Sequence, residues 1–194
     1  MEEKLDHPDL AEDLKKADIV CFTETHLKSD PLLPQINNYK AIHSIVNRNN
    51  FLGRNIKGVS VYFKDCIPDT KVQEIHNENG NLIIIKIENR TWIDMKELFV
   101  IICYKEDRES KYKTNDYFEI LKHQIITHKM EKIIIVGDLN GRIGNLNDNE
   151  SSNLPPRTSK DSTVNGQGKE IIEFCNETSP VSYTHLTLPT ILLV

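Results

Sequence analysis

Two short polar clusters stand where apolar runs stop, and each carries a carboxylate. Ile19-Val20-Cys21-Phe22 gives way to Thr23-Glu24-Thr25-His26, and Ile133-Ile134-Ile135-Val136 gives way to Gly137-Asp138-Leu139-Asn140. Polar residues at the carboxyl end of a buried strand are held rigidly and face a crevice. Asp138 and Asn140 stand at i,i+2, so they project from one side of an extended chain. Gly137 before them permits close backbone approach. Carboxylates plus an amide are what Mg²⁺-assisted phosphodiester cleavage requires. The hard ion takes oxygen ligands and keeps several waters, so one or two carboxylates suffice. It neutralises phosphate charge and helps to generate the nucleophile. By spacing alone, a single carboxylate at such a position is more often a plain turn residue after a strand, and that alternative stays open at this point.

The elements that must position these residues alternate along the chain. Asp6-His7-Pro8 opens a helix in which Leu10 and Leu14 stack at i,i+4 before Ala17. Ile19–Phe22 reads as a buried strand, apolar because both faces are covered. Val59-Ser60-Val61-Tyr62-Phe63 alternates after Gly58, and Leu82 to Ile87 and Leu98 to Tyr104 are runs rich in β-branched residues. Thr114 starts a helix with Phe118, Leu121 and Ile125 on one face, and Ile133–Val136 is the most strand-like segment. A loop rich in Asn, Ser and Pro fills 145–165, and Gly168 precedes a final short helix carrying Ile171, Ile172 and Phe174. This order predicts an α/β domain with a mixed sheet sandwich rather than a doubly wound sheet.

Composition bounds the rest. The 194 residues suffice for one domain with a real core, and 38% hydrophobic with 27% charged residues is ordinary for a globular chain. The net charge of −5 supplies no global basic field, although a local basic groove remains compatible with it. Cys21, Cys66, Cys103 and Cys175 lie far apart without metal-ligand spacing and read as buried, reduced thiols. The start of the chain is charged, and no run reaches the ~20 apolar residues of a membrane span. The expected location is intracellular, nuclear or cytoplasmic, and not secreted.

Five segments, in order over residues 17–177, resemble the endonuclease/exonuclease/phosphatase superfamily, most closely the endonuclease domains of non-LTR retrotransposons. Ala17 to Leu27 (ADIVCFTETHL) is similar to the family's "IICLQETHL" segment, and Gly53-Arg54 with Lys57 to Tyr62 (KGVSVY) to its "GR…GGVAVY" strand. Phe99 to Tyr104 resembles the strand that delivers an active-site tyrosine. Ile134 to Gly144 (IIVGDLNGRIG) is close to "IIxGDFNARIG", and Arg157-Thr158-Ser159, Asp161, Asn165 to Gly168 and Glu173 to Cys175 look like "R-S-x-D…N-x-x-G…L-x-x-F-C". The resemblance implies a DNase I-like, partial four-layer α/β sandwich of two packed mixed sheets flanked by helices. It implies a metal-dependent endonuclease using Mg²⁺, with Mn²⁺ as the alternative ion, and DNA as substrate. A reverse-transcriptase domain in the parent polyprotein is the implied partner.

Carried over position by position, the resemblance makes Glu24 the metal ligand and Tyr104 a contact of the scissile phosphate. Asp138 orients or deprotonates the attacking water, and Asn140 helps to hold the phosphate and that Asp. Asn165 aligns less securely and stands outside this set. Thr23, Leu139 and Gly141 replace the commoner Gln, Phe and Ala, and none of the three is a ligand. His26 reads as a strand-end histidine with its hydrogen bonds satisfied. Arg54, Lys57 and Arg142 are either phosphate contacts or solvated surface charge. The Lys/Glu cluster of 105–113 reads as a solvated loop.

Two family segments have no counterpart in the sequence: an initial strand carrying an Asn that supports the metal, and a closing Ser-Asp-His segment. The expectation is therefore an incomplete domain over 1–180, truncated at both ends, with weak or undetectable nuclease activity. Val181 to Thr190 (VSYTHLTLPT) contains no Asn, Lys or Ile, in which the preceding chain is rich, and it back-translates to a transposase adapter used for sequencing libraries. Residues 181–194 are thus expected to be a non-native tail. Rival expectations are a phosphatase or cellular nuclease of the same superfamily, and a catalytically dead interaction module.

Overall fold

The computed structural model describes residues 14, 16–27, 35–46, 57–65, 70–89, 97–107, 109–110, 116–147 and 159–178. The expected opening of a helix at Asp6, together with Arg54, Cys66, Arg157 and the tail at 181–194, lies outside them. Seven strands and two helices are described: β1 Ile19–Thr23, β2 Tyr39–Ser44, β3 Val59–Lys64, β4 Thr70–Glu78, β5 Leu82–Asn89, β6 Glu97–Tyr104, α1 Tyr117–Thr127, β7 Ile133–Asp138 and α2 Gly166–Thr178. The chain is α/β, with a three-stranded sheet ordered β1-β3-β2 and a four-stranded sheet ordered β4-β5-β6-β7.

Among the described residues two compact units are distinguishable: those up to Tyr104 with Glu131–Gly137, and Lys105–Met130 with those from Asp138 to Thr178. In the first, the two sheets share a core. Val59 and Val61 of β3 pack with Ile83, Ile85 and Ile87 of β5 and with Val100, Ile102 and Tyr104 of β6. Ile19, Cys21, Ile42, Val72 and Val136 close around them. These inward residues recur at every second position, the period of a pleated strand. Ile84, Ile101 and Cys103 point the other way and are equally inaccessible, at 0% exposure. Shielding on both faces is why β5 and β6 read as continuous apolar runs rather than alternating ones.

The three-stranded sheet and the β4-β5-β6 ladder are antiparallel. Strand β7 differs. The Phe99 N–H bonds the Lys132 carbonyl and the Lys105 N–H bonds the Asp138 carbonyl, at 2.9 and 2.8 Å. The same numerical offset at both points means that β7 runs parallel to β6, so the larger sheet is mixed. Between β4 and β5, Asn79 and Gly80 take positive φ of 40° and 75°, as tight hairpin turns demand.

Some expected boundaries shift. α2 begins at Gly166, before Gly168 rather than after it, because Asn165 caps the helix from outside: its side-chain oxygen accepts the Gly168 N–H at 2.7 Å. Cys103 and Cys175 are buried as expected, while Cys21 is half-exposed as a residue yet has its thiol pushed up to about 12 by desolvation, which keeps it protonated and inert. Among the described residues no helix is long and apolar enough to cross a membrane.

The outer face of the small sheet carries a pH-sensitive element. His43 Nδ1 lies 2.8 Å from the Ser60 hydroxyl, and its ring meets Tyr62 edge-on at 5.5 Å. Burial lowers the His43 pKa below its ordinary 6.5. The unfolded chain therefore takes up a proton more readily than the folded one. This contribution to stability is full above about pH 6.5 and is lost as pH falls through the depressed folded value. The melting temperature is expected to drop between about pH 7 and pH 5 by more in the wild type than in His43→Gln. Equal slopes in the two proteins would contradict this.

Candidate active site

The end of β1 is fixed by a relay of backbone bonds. The Thr25 N–H donates to the Gly58 carbonyl and the Gly58 N–H donates to the Gly80 carbonyl, both at 3.1 Å. The neighbouring carbonyl in the same hairpin turn, on Asn81, accepts the Tyr104 N–H at 2.8 Å. One turn between β4 and β5 therefore registers the ends of both β1 and β6. Gly58 must be glycine here: its φ is 140°, and a Cβ would stand 2.2 Å from the Thr25 hydroxyl.

This arrangement brings Glu24 and Tyr104 together across 80 residues of sequence. The Tyr104 hydroxyl donates to Glu24 Oε1 at 2.6 Å. Tyr104 is 7% exposed and its ring belongs to the inter-sheet core, whereas Glu24 faces solvent. A buried aromatic lever thus holds an accessible carboxylate. Since a phenol has a single proton, Tyr104 in this arrangement orients the carboxylate, and contact with a phosphate requires that proton to switch acceptor.

Glu24 and His26 both adopt left-handed backbone, at φ 52° and 53°. Such strain in non-glycine residues concentrates at functional sites. His26 corrects the expectation of satisfied hydrogen bonds: its Nδ1 is buried without a partner, and so is the Thr25 hydroxyl oxygen. Three consecutive residues at the end of β1 therefore hold either strain or unpaired polar atoms, where solvent or a ligand would complete them.

The other predicted pair forms in the second unit. Asp138 ends β7 and is exposed, and its Oδ1 accepts the Asn140 backbone N–H at 2.8 Å. Asn140 takes φ 52°, a conformation that Asn tolerates well, and its side-chain amide donates to the Lys105 carbonyl at 2.9 Å. Asn140 therefore orients Asp138 through its backbone, and its side chain anchors the turn. Asp138 Oδ2 is the oxygen this bond leaves for chemistry.

Lys105 and Glu106 are not the solvated loop that their charges suggest; they are 8% and 4% exposed. The Lys105 ammonium lies 5.6 Å from the centre of the Phe118 ring and 3.3 Å from Glu170. An ion pair and an aromatic face replace the water such a charge needs when buried. The Glu106 carbonyl accepts from the buried Gln167 side chain at 2.9 Å. Further along the same stretch, Asp107 and Glu109 are exposed as expected. Lys57 is also buried rather than solvated, at 9%. Arg142 stays exposed, with Asp161 as a distant 3.8 Å partner.

Asn165, which the sequence reading left outside the site, and Gln167, to which it gave no role, both bind backbone atoms of the Asp138–Arg142 segment. Among the described residues no group of three or more His, Cys, Asp or Glu side chains is close enough to enclose a metal ion. Glu24 presents one exposed carboxylate held by Tyr104, a donor whose chemistry would fit a hydrated Mg²⁺, which needs only one or two carboxylates. Comparison with models of protein families and with curated proteins finds no match to this chain.

Proposed function

We propose that this chain is part of a Mg²⁺-dependent DNA endonuclease domain of the endonuclease/exonuclease/phosphatase type, with the DNase I-like fold and a retrotransposon origin. The observation that carries the reading is the Tyr104–Glu24 hydrogen bond of 2.6 Å. The family resemblance assigned these two residues to one metal-phosphate site from separate motifs, and no spacing argument links positions 80 apart. The two-sheet α/β core and the Asp138–Asn140 pair are compatible with the same reading.

Each group has a definite task. Glu24, orientated by Tyr104, would hold a hydrated Mg²⁺. Mg²⁺, when bound, offsets charge on the phosphate and lowers the cost of forming the nucleophile. Asp138 accepts the proton of the attacking water on Oδ2, because the Asn140 amide occupies Oδ1. Water then attacks phosphorus, the phosphodiester P–O bond breaks, and the leaving oxygen takes a proton from solvent. The proposed partners are duplex DNA and a reverse-transcriptase domain of the parent polyprotein, in an intracellular setting.

Calorimetric titration with Mn²⁺ and Mg²⁺ tests the assignment without relying on turnover. Glu24→Gln is expected to remove measurable binding. Tyr104→Phe, which keeps the ring but not the hydroxyl, is expected to weaken it by about tenfold to a hundredfold, the usual effect of losing a group that orients a ligand. A wild-type chain that binds neither ion would overturn the nuclease reading and leave the catalytically dead interaction module. Undiminished binding in Glu24→Gln would move the ion elsewhere.

A further inference from the structure

Asn165 stands immediately before α2 and spends every polar atom of its side chain. Its Oδ1 accepts the Gly168 N–H at 2.7 Å and the Arg142 N–H at 2.9 Å. Its Nδ2 donates to the Asn140 carbonyl at 3.0 Å. The amide orientation is dictated by chemistry: turned over, the NH₂ would face two N–H donors and the oxygen would face a carbonyl. The Asn165 backbone N–H adds a bond to the Arg142 carbonyl at 2.9 Å. One half of this side chain therefore caps a helix, while the whole of it grips the segment that follows Asp138.

The segment it grips needs a grip. Asn140 sits in left-handed backbone at φ 52°, and its N–H is the donor that orients Asp138. Arg142 packs so closely on α2 that a Cβ on Gly168 would come within 2.0 Å of the Arg142 carbonyl oxygen. We propose that Asn165 is a positioning residue for the proposed hydrolysis: it holds the Asp138–Asn140 turn in register with the start of α2, so that Asp138 presents a fixed oxygen. This rests on the nuclease reading only in its effect on turnover; the hold on the turn stands on the hydrogen bonds alone.

Asn165→Asp separates the two jobs. A carboxylate still accepts from Gly168 and Arg142, and Asp caps helices as well as Asn does. It cannot donate to the Asn140 carbonyl, and it sets oxygen against oxygen there. Amide hydrogen exchange followed by NMR is expected to quicken at Asn140 by about fivefold to tenfold, the equivalent of one lost hydrogen bond, with α2 protection retained. In a plasmid-nicking assay kcat is expected to fall by about tenfold to a hundredfold with KM unchanged, since Asn165 touches no substrate. Asn165→Ala, which loses the cap as well, is the second variant, and the exchange measurement is read on whichever variant folds. Unaltered exchange at Asn140, or loss of folding in both variants, overturns the proposal, the second by making Asn165 a structural cap alone. If the wild type cleaves nothing, the nuclease reading fails by itself while the exchange measurement still decides the positioning role.

Discussion

Replacing Gly137 by alanine is expected to remove much of the chain's stability and to lower its melting temperature steeply. Gly137 lies in β7 with φ 133°, a region that side-chain-bearing residues rarely enter. A Cβ there would stand 1.8 Å from the Cys103 carbonyl oxygen and 2.8 Å from its carbon. Both are backbone atoms of β6, so no rotamer change relieves the overlap. Strand β7 would have to move away from β6. That motion endangers the Cys103 Sγ–Val136 contact at 3.3 Å and the Phe99–Lys132 bond at 2.9 Å. Strain and lost ladder bonds together come to roughly 4 kcal/mol or more, against a total stability of about 5–15 kcal/mol for an ordinary domain. Thermal melting followed by circular dichroism measures it. A Gly137→Ala protein melting within a few degrees of wild type would mean that β7 does not approach β6 as described.

The same close approach explains what the sequence could and could not convey. The apolar runs at β5 and β6 are legible because burial on both faces leaves little room for polar residues, and the half-buried β7 is legible because four β-branched apolar residues stand in a row. Strand β4 is not, since it mixes Lys71, Gln73 and Glu74 with few apolar residues and its register breaks between Glu74 and His76. A bulge of that kind destroys the two-residue period. The Asn79-Gly80 dipeptide was the available signal, for it marks a hairpin whose first arm must be a strand. Among the site residues, Glu24 and Asp138 stand at strand ends and can be named from sequence. Asn165 and Gln167 act on backbone carbonyls and amides some 23 to 61 positions away, and backbone atoms carry no sequence identity. Lys105 and Glu106 mislead for the opposite reason: their charges signal water, but Glu170 and the Phe118 ring let Lys105 stay buried.

Asp138→Asn is expected to remove nicking of supercoiled plasmid while leaving the fold and the metal affinity intact. Asparagine matches aspartate in shape, and its side-chain oxygen still accepts the Asn140 N–H that closes the turn, so the 2.8 Å bond survives. What disappears is the capacity of the second oxygen to take a proton, because an amide nitrogen is not a base. Removing a general base typically costs about 10²–10⁴-fold in rate. For a chain whose wild-type rate is expected to be slow, that loss carries turnover below detection in Mg²⁺ or Mn²⁺. The accompanying controls separate the causes: an unchanged melting curve excludes unfolding, and an unchanged Mn²⁺ titration keeps the ion with Glu24. A nicking rate within threefold of wild type in Asp138→Asn would remove Asp138 from the chemistry, since about 0.6 kcal/mol is too little for a lost base.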